Sequence, residues 1–203
     1  MAPCPMFPLG TVLFPHALLP LHVFEPRYRV MTRHCLDGDR EFGVVLIERG
    51  SEVGGGDARF DIGTVARIVQ AAEAPDGRWA LTAVGVQRAR VLEWLPDDPY
   101  PRADIEAIDE PAPAADDGAR RARVVATLDE VLDLWRQVDP RVNTARPEIA
   151  SDPVRASFEL AAYAPVGPLD AHALLCAVDA TTRFELLESL LRERADELRA
   201  LLR

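Results

Sequence analysis

The chain has 203 residues, of which 48% are hydrophobic, so it is long and apolar enough for one large or two small domains with a sizeable core. Its formal net charge of -10 and the lack of a local basic patch disfavour contact with phosphate backbones, so we expect no nucleic-acid partner. All 23 basic residues are arginines, which excludes P-loop, Ser-Lys, Schiff-base and PLP chemistry because each needs a lysine amine.

The first hundred residues contain short apolar runs bounded by turn residues, as is typical of buried strands. Three such strands are predicted at Gly10–Phe14, Leu19–Phe24 and Phe42–Ile47. A short helix is predicted from Pro26 to Leu36, because Tyr28, Met31 and Cys35 fall on one helical face and proline suits a first turn. One helix therefore interrupts the predicted sheet.

A hairpin is predicted next, because the strong turn signal Ala74-Pro-Asp-Gly77 separates residues 63–70 from residues 78–84. Two further strands are expected at Val86–Glu93 and Ala103–Ile108, and the second alternates apolar with acidic residues. Six or more short strands with mixed connections predict a small, partly open β-barrel over residues 1–110.

The composition changes at Asp109–Gly118, a stretch rich in proline, alanine and acids that we interpret as a linker. Residues 117–203 are predicted to form a bundle of four helices. The first helix runs from about Asp117 to Asp139-Pro140, the second begins at an Asp152-Pro153 N-cap, and the third covers about Leu169–Val178. The last opens with a capping box, Thr182–Glu185, and continues with an apolar stripe. That stripe comprises Phe184, Leu187, Leu191, Ala195, Leu198 and Leu202.

Metal and phosphate sites are not favoured by the sequence. The four histidines, His16, His22, His34 and His172, form no HxxxH or HExxH pattern. Adjacent helical residues point about 100° apart, so Cys35 is interpreted as a core residue and not as a thiol activated by its neighbour. Gly54–Gly56 lies between acids and lacks a following lysine, which favours a hairpin tip over a phosphate cradle. We expect no metal and no cofactor.

Cysteine usage and the N-terminal residues indicate where the protein works. Cys4, Cys35 and Cys176 are odd in number, far apart and without a CxxC pair, so neither a disulfide framework nor a redox motif is predicted. The stretch MAPCPMFP has no basic leader and no unbroken apolar run, so we expect no signal peptide and no membrane span. These features favour a reduced, cytoplasmic setting.

Residues 7–15, FPLGTVLFP, and residues 19–29, LPLHVFEPRYR, closely resemble the opening of the Lon protease N-terminal domain. The resemblance continues through FGVVL (42–46), GTVARI (63–68), DGR (76–78) and GVQRARV (85–91), and more loosely into the helical part. It implies an α+β protein with a PUA-like β-barrel followed by a helical bundle. It also implies a module that engages unfolded or damaged protein segments, in association with a protease or chaperone system.

The AAA+ ATPase and Ser-Lys peptidase domains of Lon have no counterpart in these residues, so we expect a non-catalytic adaptor or holdase. Four aromatic residues, Phe24, Tyr28, Trp79 and Trp94, are candidates for lining a peptide groove. Glu25, Pro26 and Arg27 are interpreted as fixing a strand-to-helix corner, with direct ligand contact as the alternative.

Two other functions stay open at this stage. The barrel could hold a small molecule or a nucleic acid, or the chain could be an enzyme without a known motif. An exposed apolar groove would favour a peptide, whereas a deep pocket with convergent polar groups would favour a small ligand. The sequence makes no prediction about the oligomeric state.

Overall fold

The computed structural model describes residues 3–49, 58–112, 118–142, 145–146 and 148–203. These residues divide into two units, residues 1–109 and residues 110–203, which are described in turn. The predicted hairpin tip Gly54–Gly56 lies outside the described residues, as do residues 113–117 of the predicted linker.

In its described part, residues 3–49 and 58–109, unit 1 contains six strands and one helix. They are β1 (Cys4–Leu9), β2 (Leu18–Val23), α1 (Pro26–Asp37), β3 (Glu41–Arg49), β4 (Ala58–Glu73), β5 (Trp79–Leu95) and β6 (Arg102–Ala107). The strands form one sheet in the order β2-β5-β4-β3-β1-β6, and β5 also pairs with β6, which closes five of them into a barrel. Among the strand pairs of the described residues, β1 and β3 alone are parallel. Among the described strands β2 pairs with β5 alone, so it is an edge strand.

Two strand predictions in unit 1 are wrong. Residues 10–14 are irregular: Leu13 and Phe14 are buried, but the Leu13 carbonyl oxygen accepts a hydrogen bond from the Thr64 hydroxyl at 2.5 Å instead of joining a ladder. The first strand is instead β1, Cys4–Leu9, which contains two prolines. Val86–Glu93 is not a separate strand, because β5 continues unbroken through it from Trp79.

The core of unit 1 lies between the sheet and α1. Tyr28, Met31 and Cys35 are buried on one face of α1, as the spacing predicts. They pack against buried apolar side chains from five strands, β1 to β5, and from the loop after β1. These include Phe7, Leu9, Leu13, Val23, Phe42, Val44, Ile68 and Leu81. Helix α1 therefore covers the apolar face that the curved sheet turns toward it.

The described residues of unit 2 form four helices, α2 (Gly118–Val138), α3 (Pro153–Tyr163), α4 (Pro168–Cys176) and α5 (Ala180–Leu201). Ion pairs between α2 and α5 advance in the same direction along both helices, so the two run parallel. They are Arg120–Glu185 at 2.9 Å, Arg123–Glu188 at 3.2 Å and Glu130–Arg199 at 2.5 Å. The predicted α+β fold, a β-barrel followed by a helical bundle, is thus confirmed.

Details of the predicted helices need correction. Helix α5 begins at Ala180, and its N-cap is Asp179, whose carboxylate accepts from the Thr182 backbone N–H at 2.7 Å. Thr182 is therefore not the capping residue. Leu202, the last residue of the predicted stripe, is the C-cap that follows α5, and 43% of its surface is exposed. The predicted start near Asp117 lies outside the described residues. No helix in the described ranges is long and apolar enough to cross a membrane.

Candidate functional site

A concave surface of about 490 Å³ lies where β2 and β4 end and β5 begins. The cross-strand register places His22, Ala80 and Ala72 in one row, so these three side chains face the same side of the sheet. Two of the three are alanines, whose short side chains leave the surface hollow. We call this concavity the β5 groove, and its lining is mostly apolar. Other lining residues are Phe24, Glu73, Ala74, Arg78 and Trp79.

Phe24 and Trp79 are the two aromatic residues of the β5 groove. Phe24 follows the last residue of β2 and leaves 55% of its surface exposed. Trp79 is half-buried and packs against the unit 1 core. Its buried indole N–H has no hydrogen-bond acceptor among the described residues. One aromatic side chain is therefore anchored, and the other is presented to solvent.

The corner that carries Phe24 is held by its neighbours. Arg27 Nε lies 3.2 Å from Glu25 Oε2, and both side chains are largely buried. The Arg27 guanidinium also lies 4.5 Å from the centroid of the Tyr28 ring. Pro26 occupies the first turn of α1, where its missing N–H costs nothing. These contacts hold the backbone on one side of Phe24, so its position is set before any ligand arrives.

Tyr28 is a core residue in the structure. Only 2% of its surface is exposed, and its ring is stacked on Phe7 with centroids 4.1 Å apart and planes 7° from parallel. A ligand that touched the whole ring would have to separate this stacked pair. Tyr28 therefore packs in the core beneath the corner, and it does not line the β5 groove.

The rim of the β5 groove carries charges that are already paired. Arg33 from α1 lies 2.6 Å from Glu73, and Arg78 lies 2.7 Å from Asp76 in the β4–β5 turn. The Arg78 backbone N–H donates to Asp76 and lowers the pKa of that carboxyl below its ordinary value. Gly77 makes the turn possible with a φ of 77°. The rim is consequently polar but carries little uncompensated charge.

Trp94 lies at the far end of β5 from Trp79, so the structure does not bring it to the groove. The Arg59 guanidinium lies 4.6 Å from the centroid of its ring, and Arg59 also approaches Asp97 at 3.5 Å. Trp94 is half-buried against the second, smaller core cluster of unit 1. Of the four predicted aromatic residues, the structure therefore places Phe24 and Trp79 together and separates the other two.

A second concavity of about 210 Å³ lies on the other side of β2. It is bounded by residues 20–25 of the edge strand and its corner, by Phe7 and Leu9 of β1, and by Tyr28. We call it the edge groove. His22, Val23 and Phe24 line both this groove and the β5 groove, so Phe24 stands between two hollows.

Sequence reasoning missed three features. The facing alanines, Ala72 and Ala80, could have been found by counting outward from the predicted turn, whereas His22 reaches them only through the long-range β2–β5 pairing. It also missed the HxxxC spacing in α4, where Cys176 Sγ lies 3.6 Å from His172 Nδ1 and 3.7 Å from Nε2. Those near-equal distances show that neither ring nitrogen points directly at the sulfur. Within the described ranges no group of three or more potential metal ligands occurs.

Comparison with known proteins identifies relatives along nearly the whole chain. The family model of the ATP-dependent protease La (LON) substrate-binding domain matches residues 3–193. Lon protease of Escherichia coli strain K12 is 28% identical over 200 residues, which cover 96% of this chain and 25% of that protein. Lon protease 2 of Myxococcus xanthus is 28% identical over 199 residues, covering 96% and 24%. The chain thus spans about a quarter of the length of these relatives.

Solved structures share the fold. The crystal structure of a Lon N-terminal domain protein from Xanthomonas campestris has a TM-score of 0.65 and 25% identity, covering 93% of this chain and 98% of the other. The N-terminal domain of Lon protease from the Mycobacterium avium complex has a TM-score of 0.61 and 18% identity, covering 94% and 98%.

Proposed function

The chain belongs to the LON substrate-binding domain family, as the motifs of residues 7–29 predict, and from this premise we propose that it is a non-catalytic module that binds unfolded or extended polypeptide segments. The observation that carries the proposal is Phe24, an exposed aromatic side chain on a braced corner beside an open, mostly apolar groove. Such a site fits apolar side chains of a chain that has not folded.

The energetics favour apolar side chains as the ligand. Burying a phenylalanine side chain on binding contributes about 1.5 to 3 kcal/mol. Exposed ion pairs such as Arg78–Asp76 contribute less, because water and salt screen them. A folded protein hides most of its large apolar side chains, and an unfolded one exposes them. Discrimination between the two forms therefore follows from the chemistry of the groove without any need for a specific sequence.

The competing functions find less support. A small polar ligand would need a deep pocket with convergent polar groups, but the β5 groove is open and its rim charges Arg33, Glu73, Asp76 and Arg78 are paired with one another. A nucleic acid would meet a net charge of -10. We therefore propose neither partner, and we propose no catalytic activity.

The family supports a proposal about the biological role. The relatives named above are proteases, and this chain matches a quarter of their length. We propose that it acts in the cytoplasm, either holding unfolded chains in a soluble state or presenting them to a protease. The first role predicts that the purified protein alone suppresses aggregation, and the second predicts that a protease co-purifies with it.

Calorimetry with two forms of one protein tests the proposal. Native lysozyme and lysozyme that has been reduced and alkylated would each be titrated into the full chain at low and high salt. We expect micromolar binding, about −8 kcal/mol, to the unfolded form alone, with a negative heat-capacity change and little dependence on salt. Binding that disappears at high salt, or that does not distinguish the two forms, would contradict it.

Two variants connect this binding to the groove. Phe24→Ala removes the ring, of which 55% is exposed and can be buried by a ligand, so it should weaken binding about 4- to 15-fold. Leu92→Ala is the matched control, because Leu92 is also an exposed apolar residue but lies on β5 away from the groove. If both variants weaken binding equally, the binding surface is elsewhere on unit 1.

A further inference from the structure

Strand β2 presents one edge to β5 and turns the other edge away from the sheet. In an antiparallel pair, the backbone N–H and C=O groups of every second residue bond to the partner strand. The N–H and C=O groups of the residues between them point away from that strand. The Gly85 N–H donates to the Ala17 carbonyl at 2.9 Å, and this bond fixes the phase of the alternation. The odd-numbered residues 19, 21 and 23 therefore bond to β5, and residues 18, 20 and 22 point their backbone groups outward.

Pro20 confirms this phase independently. It is paired with Thr82 in the register, yet it has no N–H to donate. A proline is compatible with a strand only where its nitrogen faces away from the ladder. The outward edge of β2 thus offers the carbonyl oxygens of Leu18, Pro20 and His22, and the N–H groups of Leu18 and His22.

The edge groove lies alongside these groups. It follows Pro20 to Glu25 and is walled on the far side by Phe7 and Leu9 of β1 and by Tyr28. The side chains of Leu18 and His22 lie on one face of the sheet, since they are an even number of positions apart along β2. Both are exposed, and Leu18 leaves 68% of its surface in solvent. An extended backbone entering this groove would meet hydrogen-bonding groups on one side and apolar side chains on the other.

We propose that an extended segment of an unfolded protein binds by adding a short strand to the free edge of β2, with its side chains reaching Phe24. This inference rests on the proposed function and specifies how that function recognises its ligand. Main-chain hydrogen bonds are the same for every sequence, so strand addition accounts for binding of unfolded chains regardless of sequence. Side-chain contacts with Phe24 then add the preference for apolar segments.

Pro20 limits the strength of this pairing. A long unblocked edge invites permanent sheet growth between molecules, and proteins prevent this with short strands and edge prolines. β2 has six residues and lacks one outward donor at its centre. A captured segment can therefore bond on both sides of Pro20 but cannot form a continuous ladder, which keeps binding reversible.

Substitutions at the edge of β2 test the proposal when two variants lose the same side chain and differ in one backbone N–H. His22→Pro deletes an outward N–H, and His22→Ala loses the same imidazole but keeps that N–H. We expect the proline variant to bind reduced and alkylated lysozyme about two- to tenfold more weakly than the alanine variant, the effect of one hydrogen bond. Pro20→Ala adds a donor and should tighten binding by a similar factor relative to the unmodified chain. Equal affinities within each pair would overturn strand addition.

A synthetic ligand supplies a second test that does not depend on the variants folding. A nine-residue peptide of alternating valine and threonine with lysine at both ends would be compared with the same peptide N-methylated at every interior residue. We expect methylation to weaken binding to the unaltered chain at least tenfold, because it removes the backbone donors. Binding retained within twofold would overturn strand addition.

The outcomes separate this inference from the proposed function. If neither unfolded lysozyme nor the unmethylated peptide binds, the proposed function fails. If both bind but the variants and methylation have no effect, the proposed function stands and only strand addition fails. Sedimentation identifies a competing occupant: a self-associated chain that His22→Pro dissociates, with peptide binding unchanged, would assign the edge to a second copy and overturn the proposal.

Discussion

The guanidinium of Arg183 lies 3.7 Å from the centroid of the Phe158 ring in the interior of unit 2, and Arg183 is 0% exposed. It donates to Ser157 Oγ at 2.7 Å and to the Leu174 carbonyl at 3.0 Å, and it lies 3.6 Å from Glu110. A buried cation is tolerated only where hydrogen bonds and an opposite charge replace water. Arg183 therefore joins α3, the end of α4 and α5 to the start of unit 2.

Removing this arginine should destabilise unit 2 strongly. Arg183→Ala leaves several buried acceptors without a donor and opens a cavity, so we expect a loss of about 3 to 5 kcal/mol in the free energy of unfolding. Urea unfolding followed by circular dichroism at 222 nm would measure it. Arg141→Ala is the control, because Arg141 is 90% exposed in its ion pair and its removal should leave stability nearly unchanged. A loss below 1 kcal/mol for Arg183→Ala would contradict the interpretation.

Gly63 is the next testable position, because it packs against the backbone of β3. A Cβ at this residue would lie 2.1 Å from the Val44 carbonyl oxygen, which cannot move without disturbing the β3–β4 pairing. We expect Gly63→Ala to lower the melting temperature, at a cost of about 1 to 3 kcal/mol or more. Gly167→Ser places a preferred N-cap residue before α4, where an added Cβ makes only an ordinary contact, 3.8 Å from Asp170 Oδ2, and it should leave stability unchanged or slightly higher. Equal melting temperatures for the two variants would contradict the steric argument.

Local patterns were sufficient to predict most of the fold. Helix α1 follows from the spacing of Tyr28, Met31 and Cys35, and the β4–β5 hairpin follows from the turn at residues 74–77, since both signals lie within one element or one turn. β1 was missed because Pro5 and Pro8 disfavour a strand locally. Its pairing with β3 and β6, distant in sequence, outweighs that preference.

The site was less predictable because it depends on long-range register. Phe24 and Trp79 meet only because Val23 pairs with Trp79 across 56 positions of sequence. Tyr28 carries the same aromatic signal as Phe24 but faces the core, since it lies on the buried face of α1. Aromatic character alone therefore could not separate a groove residue from a core residue.

The N-cap of α5 provides a prediction that depends on pH. Asp179 accepts from the Thr182 N–H, and this hydrogen bond lowers the pKa of Asp179. A carboxyl with a lowered folded-state pKa stabilises the fold above its unfolded pKa, near 3.8, and loses this contribution as pH falls through the folded value. We expect Asp179→Ala to cost about 1 kcal/mol at pH 7, and less at pH 3. Thr182→Ala should lower stability at pH 7 by less than Asp179→Ala does. A larger loss for Thr182→Ala would show that Thr182 is the capping residue.

The three thiols should differ in reactivity. Burial raises the pKa of Cys4 to about 11 and that of Cys35 to about 12, so at pH 8 about 0.1% or less of either is thiolate. Cys176 is half-buried on α4 beside His172. We expect one fast labelling event with a disulfide reagent at pH 8, lost in Cys176→Ser, and slow labelling of the other two. Fast labelling of all three in the native state would contradict the buried placement.

The same raised pKa values predict how stability changes in alkali. A thiol that ionises near pH 9 when unfolded and near 11 or 12 when folded holds its proton longer in the folded state. Its contribution is complete below pH 9 and is lost as pH rises toward 11 or 12. Urea midpoints should therefore fall across this range, and Cys35→Ala should make the fall shallower. A urea midpoint that does not change between pH 9 and pH 11 would contradict the raised thiol pKa values.

The boundary between the two units is testable by limited proteolysis. We propose that it lies near residues 109–118, where the composition changes. Trypsin cannot report on this stretch, which contains no arginine, whereas a protease that cuts before aspartate has sites at Asp109, Asp116 and Asp117. We expect it to cut there first and to yield two fragments, identified by mass spectrometry. Asp76 is the internal control, because it lies in the exposed β4–β5 turn. Earlier cleavage at Asp76, with residues 109–118 still intact, would show that this boundary is misplaced.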